Sequence, residues 1–136
     1  MNAKNYTQIG IGDSASFSKT VTEYDVYQFA GVTGDFNPVH VNTVAAEESQ
    51  FKHRIAHGIL SAGFVSTVIG TQLPGPGTIY LSQQLKFRRP VYFGDTITTT
   101  VTVAEKLEKK RVRLLAVCRN QNGDVVSEGE SVVIAP

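Results

Sequence analysis

A long apolar helix followed only by strand-forming sequence is the feature that most constrains the fold of this chain. From about residue 57 to residue 73, apolar side chains fall on nearly every side of the predicted helix, which is typical of a helix surrounded by protein. About 17 residues at roughly 1.5 Å each span about 25 Å, the width of a small domain. The segment Pro74-Gly75-Pro76-Gly77 then ends the helix. We therefore expect this helix to form the centre of the molecule.

The remaining segments are mostly strands. Alternating apolar and polar residues predict five strands, at 15–21, 79–88, 95–105, 111–119 and 125–134. Ile79, Leu81, Leu85 and Phe87 are predicted to share one apolar face. An Asn-Gly pair at 122–123 predicts a hairpin turn. Helical spacing predicts two short helices, at 23–32 and 43–50, the first with Thr22 as its N-cap.

These elements predict an α+β domain in which an antiparallel sheet curls around the central helix. The length of 136 residues fits a single domain, residues 1–136. A sheet of this kind has open edges and covers its helix incompletely, so we expect a homodimer.

The composition limits the classes of partner that this chain is expected to bind. The net charge of +1 gives no reason to expect nucleic acid or a membrane surface as a partner. Cys118 is the single cysteine, so no disulfide framework is expected and the residue is predicted to be a small buried side chain. No apolar run is long enough to cross a bilayer. We expect a cytoplasmic protein.

The segment Asp35-Phe36-Asn37-Pro38-Val39-His40 carries the first candidate chemistry. Pro38 fixes its own φ and pushes Asn37 away from helical geometry, so the chain turns and can bring Asp35 and His40 to one small volume. A carboxylate and an imidazole held within reach of one proton form an acid/base pair. The alternative is that Asp35 only caps a turn and His40 is an ordinary surface histidine.

His57 and Gly58 are predicted to open the central helix. The first N–H groups of a helix have no internal partner, and the positive end of its dipole lies there. Without a side chain, Gly58 would let a ligand carbonyl approach its N–H, as in an oxyanion hole. The alternative is that Gly58 only permits tight packing against a neighbouring strand. His57 is expected to make a structural hydrogen bond.

Three segments together, at 34–40, 56–60 and 87–95, resemble motifs of the MaoC-type hydratases in order and spacing. Among these, the closest likeness is to the short, single-domain (R)-specific enoyl-CoA hydratases of polyhydroxyalkanoate-producing bacteria, over about residues 10–135. The resemblance implies a dimeric hot-dog fold. It also implies reversible hydration of trans-2-enoyl-CoA to (R)-3-hydroxyacyl-CoA without a cofactor.

The resemblance further implies roles for individual residues. Asp35 and His40 would be the catalytic pair, and the Gly58 N–H would be the oxyanion donor. Ser66 lies on the helix where the family has a serine near the active site, and Asn37 belongs to the Asp-x-Asn-Pro-x-His motif. We predict that both bind substrate.

Other polar residues are assigned from the sequence alone. Gln83, polar on an inward strand face, either lines the substrate cavity or satisfies backbone groups, and we include it among the substrate-binding candidates. His53 is expected at the surface. No metal is predicted, because the histidines and the one cysteine look scattered. Basic residues such as Lys86, Arg88 and Arg89 could meet coenzyme A phosphates, although a solvated strand face is the commoner reason for such charge.

Four functions compete at this stage. The first is the hydratase, and the second is a dehydratase that acts on (R)-3-hydroxyacyl carrier protein by the same chemistry. A thioesterase of the same fold is disfavoured, since those enzymes do not use the Asp-x-Asn-Pro-x-His arrangement. A non-catalytic acyl-CoA-binding module would not need Asp35, His40 and Gly58 together.

Overall fold

The computed structural model describes residues 2–136. One strand, four helices and four further strands follow one another along the chain, in the order β1 (Ser14–Thr20), α1 (Glu23–Thr33), α2 (Pro38–Val41), α3 (Thr43–Glu48), α4 (Leu60–Thr71), β2 (Ile79–Phe87), β3 (Thr96–Lys106), β4 (Arg111–Arg119) and β5 (Val125–Ile134). The strands form one antiparallel sheet in the order β1-β3-β4-β5-β2. All five predicted strands are confirmed, with ends that differ by no more than a residue or so.

The helix α4 packs against one face of this sheet. Its side chains Phe64, Val65, Val68 and Ile69 are buried and join the inward residues of the strands in one hydrophobic cluster. The inward positions of β3 and β4 alternate with exposed ones, as expected for strands with one covered face. An antiparallel sheet wrapped around a helix is the hot-dog arrangement, so the predicted fold is confirmed.

The central helix differs from the prediction in two ways. It begins at Leu60 rather than His57, because residues 57–59 form a turn with hydrogen bonds three residues apart. It is also covered on one side only. Gly63, Ser66 and Gly70 recur along its exposed face, and these small residues contribute little apolar surface to bury. The expectation that protein would surround this helix on nearly every side was therefore wrong.

The strand β2 is left partly uncovered at the end of the sheet. The helix α4 lies mainly over β1 and β3, near the edge of the sheet opposite to β2. Ile79, Leu81 and Phe87 of β2 are about half exposed. A bulge near Leu81 shifts the register with β5 and breaks the alternation. The predicted continuous apolar face of Ile79, Leu81, Leu85 and Phe87 is therefore interrupted.

The helix α1 begins as predicted and delivers the chain to the candidate site. Thr22 accepts a hydrogen bond from the Asp25 N–H, and the Asp25 carboxylate accepts one from the Thr22 N–H, which is a capping box. Cys118 is buried in β4, also as predicted. Within residues 2–136, no helix is long and apolar enough to cross a membrane.

Candidate active site

The loop that carries Asp35 is built by local turn chemistry. Gly34 ends α1 with φ 82°, a left-handed conformation that glycine adopts without strain, and its N–H donates to the Ala30 carbonyl at 2.8 Å. One carboxylate oxygen of Asp35 accepts a bond from the Asn37 N–H at 3.2 Å. Pro38 then occupies the first turn of α2, where its missing N–H costs nothing. Asp35 therefore does cap a turn, and its second carboxylate oxygen remains outside that bond.

His40 is held at the base of the loop. The side chain is 7% exposed, so the alternative of an ordinary surface histidine was wrong. Its Nδ1–H donates to the Ile55 carbonyl at 2.7 Å. Because a neutral imidazole carries one proton, this bond leaves Nε2 as the nitrogen that can accept a hydrogen bond or a proton. The Ile55 N–H donates in turn to the Val39 carbonyl at 3.2 Å, which ties the two segments together.

His57 lies between the two predicted catalytic residues. Its Nε2–H donates to the backbone carbonyl of Asp35 at 2.9 Å, and the same nitrogen is 3.9 Å from a carboxylate oxygen of Asp35. The rings of His57 and His40 stack with centroids 3.8 Å apart. The sequence predicted only a structural hydrogen bond for this residue. His57 is part of the motif Ala56-His57-Gly58. Its hydrogen bond to Asp35, however, joins residues 22 positions apart, and no local sequence pattern indicates it.

The surroundings of His40 lower its pKa. Burial is the largest cause, because it disfavours the charged imidazolium, and the neighbouring His57 acts in the same direction. The hydrogen bond to the Ile55 carbonyl and the Asp35 carboxylate oppose this effect but do not cancel it. Near neutral pH, His40 is therefore neutral, with Nε2 ready to accept a proton.

Gly58, which follows His57 in the chain, lines an open cavity that Asp35, His40 and His57 do not line. The cavity has a volume of about 300 Å³. Gly58 and Ser61 line it together with mainly apolar residues, including Phe51, Phe87 and Val91. Among the described residues the Gly58 N–H donates to no acceptor, so it is free for a ligand. A Cβ at Gly58 would lie 3.2 Å from the Phe87 ring. The alternative of tight packing against a strand therefore also holds.

Three further predicted site residues lie outside this cluster. Asn37 is exposed, and its side-chain oxygen accepts the Val39 N–H at 3.3 Å as the cap of α2. Ser66 is on the exposed face of α4. The oxygen of Gln83 accepts hydrogen bonds from the hydroxyls of Tyr80 and Ser131. None of the three lines the cavity beside Gly58, and their assignment to substrate stays a prediction.

Two of the three histidines are not scattered, which corrects the reason given for expecting no metal. One ligand atom each from Asp35, His40 and His57 lies within 4.8 Å of the others. The stacked imidazoles are tilted by only 28° with centroids 3.8 Å apart, however, so their lone pairs lie in nearly parallel planes and one ion does not easily lie in the plane of both rings. In addition, each ring has one nitrogen engaged by a backbone carbonyl. This arrangement favours proton transfer over metal coordination. His53 is exposed, as predicted.

This hot-dog domain brings together a carboxylate and a proton-free imidazole nitrogen, and the backbone N–H of Gly58, one residue after His57, has no acceptor among the described residues. Groups of this kind can carry out acid/base chemistry on a bound ligand. A family model described as MaoC like domain matches residues 7–122. The chain belongs to this family.

Individual relatives agree. A curated protein of Rhodospirillum rubrum, named (R)-specific enoyl-CoA hydratase, is 53% identical over 132 residues, which are 96% of this chain and 91% of that protein. The unliganded R-hydratase PhaJ1 of Pseudomonas aeruginosa superimposes with a TM-score of 0.95 at 46% identity, over 98% of this chain and 86% of that one. An (R)-hydratase of A. caviae, described as involved in PHA biosynthesis, gives a TM-score of 0.91 at 38% identity, over 94% and 98% of the two chains.

Proposed function

We propose that this chain is an (R)-specific enoyl-CoA hydratase, which adds water reversibly to trans-2-enoyl-CoA and forms (R)-3-hydroxyacyl-CoA. The observation that carries the proposal is the convergence of Asp35 and His40 around His57, the residue that precedes Gly58. Similarity to proteins with this name over nearly the whole chain supports it. The A. caviae relative supports a role in supplying polyhydroxyalkanoate synthesis.

The proposed reaction needs one water and no cofactor. The Asp35 carboxylate accepts a hydrogen bond from the water and orients it, while Nε2 of His40 accepts the proton that the water loses. The water oxygen bonds to C3 as the C2=C3 π bond breaks. The proton then passes from His40 to C2 on the same face. This syn addition returns both side chains to their starting states.

Negative charge develops on the thioester oxygen during this addition, because C2 and the carbonyl form an enolate. We assign the Gly58 N–H as the donor that stabilises this oxygen. The N–H precedes the first turn of α4, where the helix dipole adds favourable potential. The mainly apolar cavity beside Gly58 would hold part of the substrate and raise the strength of these polar contacts.

Crotonyl-CoA is the substrate that tests this proposal. Loss of the absorbance of the conjugated thioester, with no release of free thiol, is the expected result. Release of thiol would instead identify a thioesterase, and no change in either signal would leave only a binding module. The same measurement with crotonyl carrier protein separates the hydratase from the carrier-protein dehydratase, and coenzyme A is expected to be the preferred carrier.

We further propose that the active form is a homodimer of one-domain chains, paired through the edge strand β2. This strand has nine residues and exposes Ile79, Leu81 and Phe87, whereas the other edge, β1, exposes mainly serine and threonine. A long apolar edge is a template for pairing with another chain. The cytoplasmic location stays a prediction.

A further inference from the structure

His57 contacts both members of the proposed acid/base pair, and nearly all of its surface is buried. The residue is 3% exposed, and its ring packs between Phe29, at a centroid distance of 4.7 Å, and His40, at 3.8 Å. Such a fixed ring makes a rigid support for whatever it touches. The proposed mechanism gives it no proton to transfer.

The hydrogen bond to Asp35 determines which tautomer His57 adopts. Nε2 must carry a proton to donate to the Asp35 carbonyl at 2.9 Å. Nδ1 is buried and has no hydrogen-bond partner in the described chain. A proton on Nδ1 would be a buried donor without an acceptor, which is costly. The ring therefore holds its proton on Nε2 and acts as a donor toward Asp35.

The bond to Asp35 is important because the other hydrogen bonds of residues 34–37 are made to residues close in sequence. The Asp35 side chain is 49% exposed, and Asn37, two residues on, is exposed as well. The carbonyl that His57 holds belongs to the residue whose carboxylate must orient the water. A shift of about 1 Å in such a group can lower the rate about 100-fold.

We propose that His57 is a positioning residue: its Nε2–H fixes the backbone of Asp35, and its ring face supports the imidazole of His40. The inference rests on the proposed function for its effect on rate, but the contacts themselves can be measured without turnover. His57 does not touch the reacting atoms and is not assigned a catalytic role.

Two substitutions separate the hydrogen bond from the packing. His57→Phe keeps an aromatic ring between Phe29 and His40 but has no donor for Asp35. His57→Gln loses the ring but places an amide N–H near the position of Nε2. We expect His57→Phe to lower kcat for crotonyl-CoA roughly 10- to 100-fold with KM changed less than about threefold. His57→Gln is expected to recover most of that loss. His53→Phe, at an exposed histidine, is the control and should retain the wild-type kcat.

NMR gives the test that does not depend on activity. In the wild-type protein the His57 ring nitrogens should show a proton on Nε2 and none on Nδ1. The amide nitrogen of Phe36 belongs to the peptide group that accepts the His57 bond, so its signal should move in His57→Phe and return in His57→Gln.

The inference is overturned if Nδ1 of wild-type His57 carries the proton, or if the Phe36 signal does not move in His57→Phe. A wild-type kcat in folded His57→Phe would also overturn it, as would equal losses in the Phe and Gln variants. If the wild-type protein does not hydrate crotonyl-CoA, the proposed function fails, and the NMR result still decides whether His57 holds the Asp35 loop.

Discussion

Adding one methyl group at Gly58 tests the oxyanion assignment. The Cβ of Gly58→Ala would lie 3.2 Å from Cδ1 and 3.4 Å from Cε1 of Phe87, whereas carbon atoms prefer separations of about 3.5–4.0 Å. The misfit is therefore a few tenths of an ångström. Because Phe87 is 53% exposed, its ring can move, and we expect the free energy of unfolding to fall by only about 1 kcal/mol, at the low end for overpacking.

The expected effect on catalysis is much larger. A methyl group on the cavity wall would keep the thioester oxygen away from the Gly58 N–H, and loss of one oxyanion donor typically costs about 100- to 1000-fold in rate. The hydration rate of crotonyl-CoA, followed by the loss of enoyl thioester absorbance, and the midpoint of thermal unfolding are measured on the same preparations.

Two control proteins distinguish packing from chemistry. Gly31→Ala adds the same methyl group where no atom lies within 4 Å, and it should keep full activity. The double variant Gly58→Ala/Phe87→Leu relieves the tight contact. It should recover stability but not activity. Recovery of activity in the double variant, or a rate within about threefold of wild type in Gly58→Ala, would refute the oxyanion role.

Three further predictions have defined outcomes. Asp35→Asn and His40→Asn should each lower the rate of crotonyl-CoA hydration at least about 100-fold, whereas the control His53→Asn should leave the rate unchanged. If either of the first two variants retains activity, that residue has no part in the mechanism. Because burial lowers the pKa of His40 from 6.5, the acidic limb of kcat/KM should lie below pH 6.5. The unfolded chain binds this proton at a higher pH than the folded chain does. The free energy of unfolding should therefore be highest above about pH 6.5 and should fall as the pH drops through the folded pKa. The midpoint of thermal unfolding should fall less with decreasing pH in His40→Asn than in the wild type, and equal curves for the two proteins would contradict the assignment. Leu81→Lys on the open edge β2 should convert the dimer to monomers, as measured by sedimentation. Leu115→Lys on β4 is the matched control, because Leu115 is 43% exposed and Leu81 is 45% exposed, and it should leave the dimer intact. A Leu81→Lys protein that remains dimeric would place the interface elsewhere.

The strands were predictable because their signal is local. Along Arg111–Arg119 every second residue is apolar, and the structure buries those positions. The Asp35–His40 turn was predictable for a similar reason, since Pro38 restricts the backbone where it stands and Gly34 permits a left-handed conformation. In each case a few adjacent residues determine the conformation.

The unpredicted features depend on contacts between distant segments. Packing of Gly58 against a strand was one expected alternative, but its partner Phe87 lies 29 positions away, and no periodic pattern indicates which residue makes the contact. The bond from His57 to Asp35 is of the same kind. Incomplete cover of α4 was expected, but which face lies open was not, because Gly63 and Gly70 are compatible with a buried helix as well as with an exposed one. Only the position of the sheet, mainly over the other side of the helix, decides between the two.

The configuration of the product at C3 tests the central claim most directly. If Asp35 and His40 hold the water on one side of an enoyl chain whose carbonyl is fixed at the Gly58 N–H, water adds to a single face. Chiral analysis of the 3-hydroxybutyryl thioester formed from crotonyl-CoA should then show the (R)-alcohol alone. An (S) or racemic product would contradict the placement of substrate between these three groups.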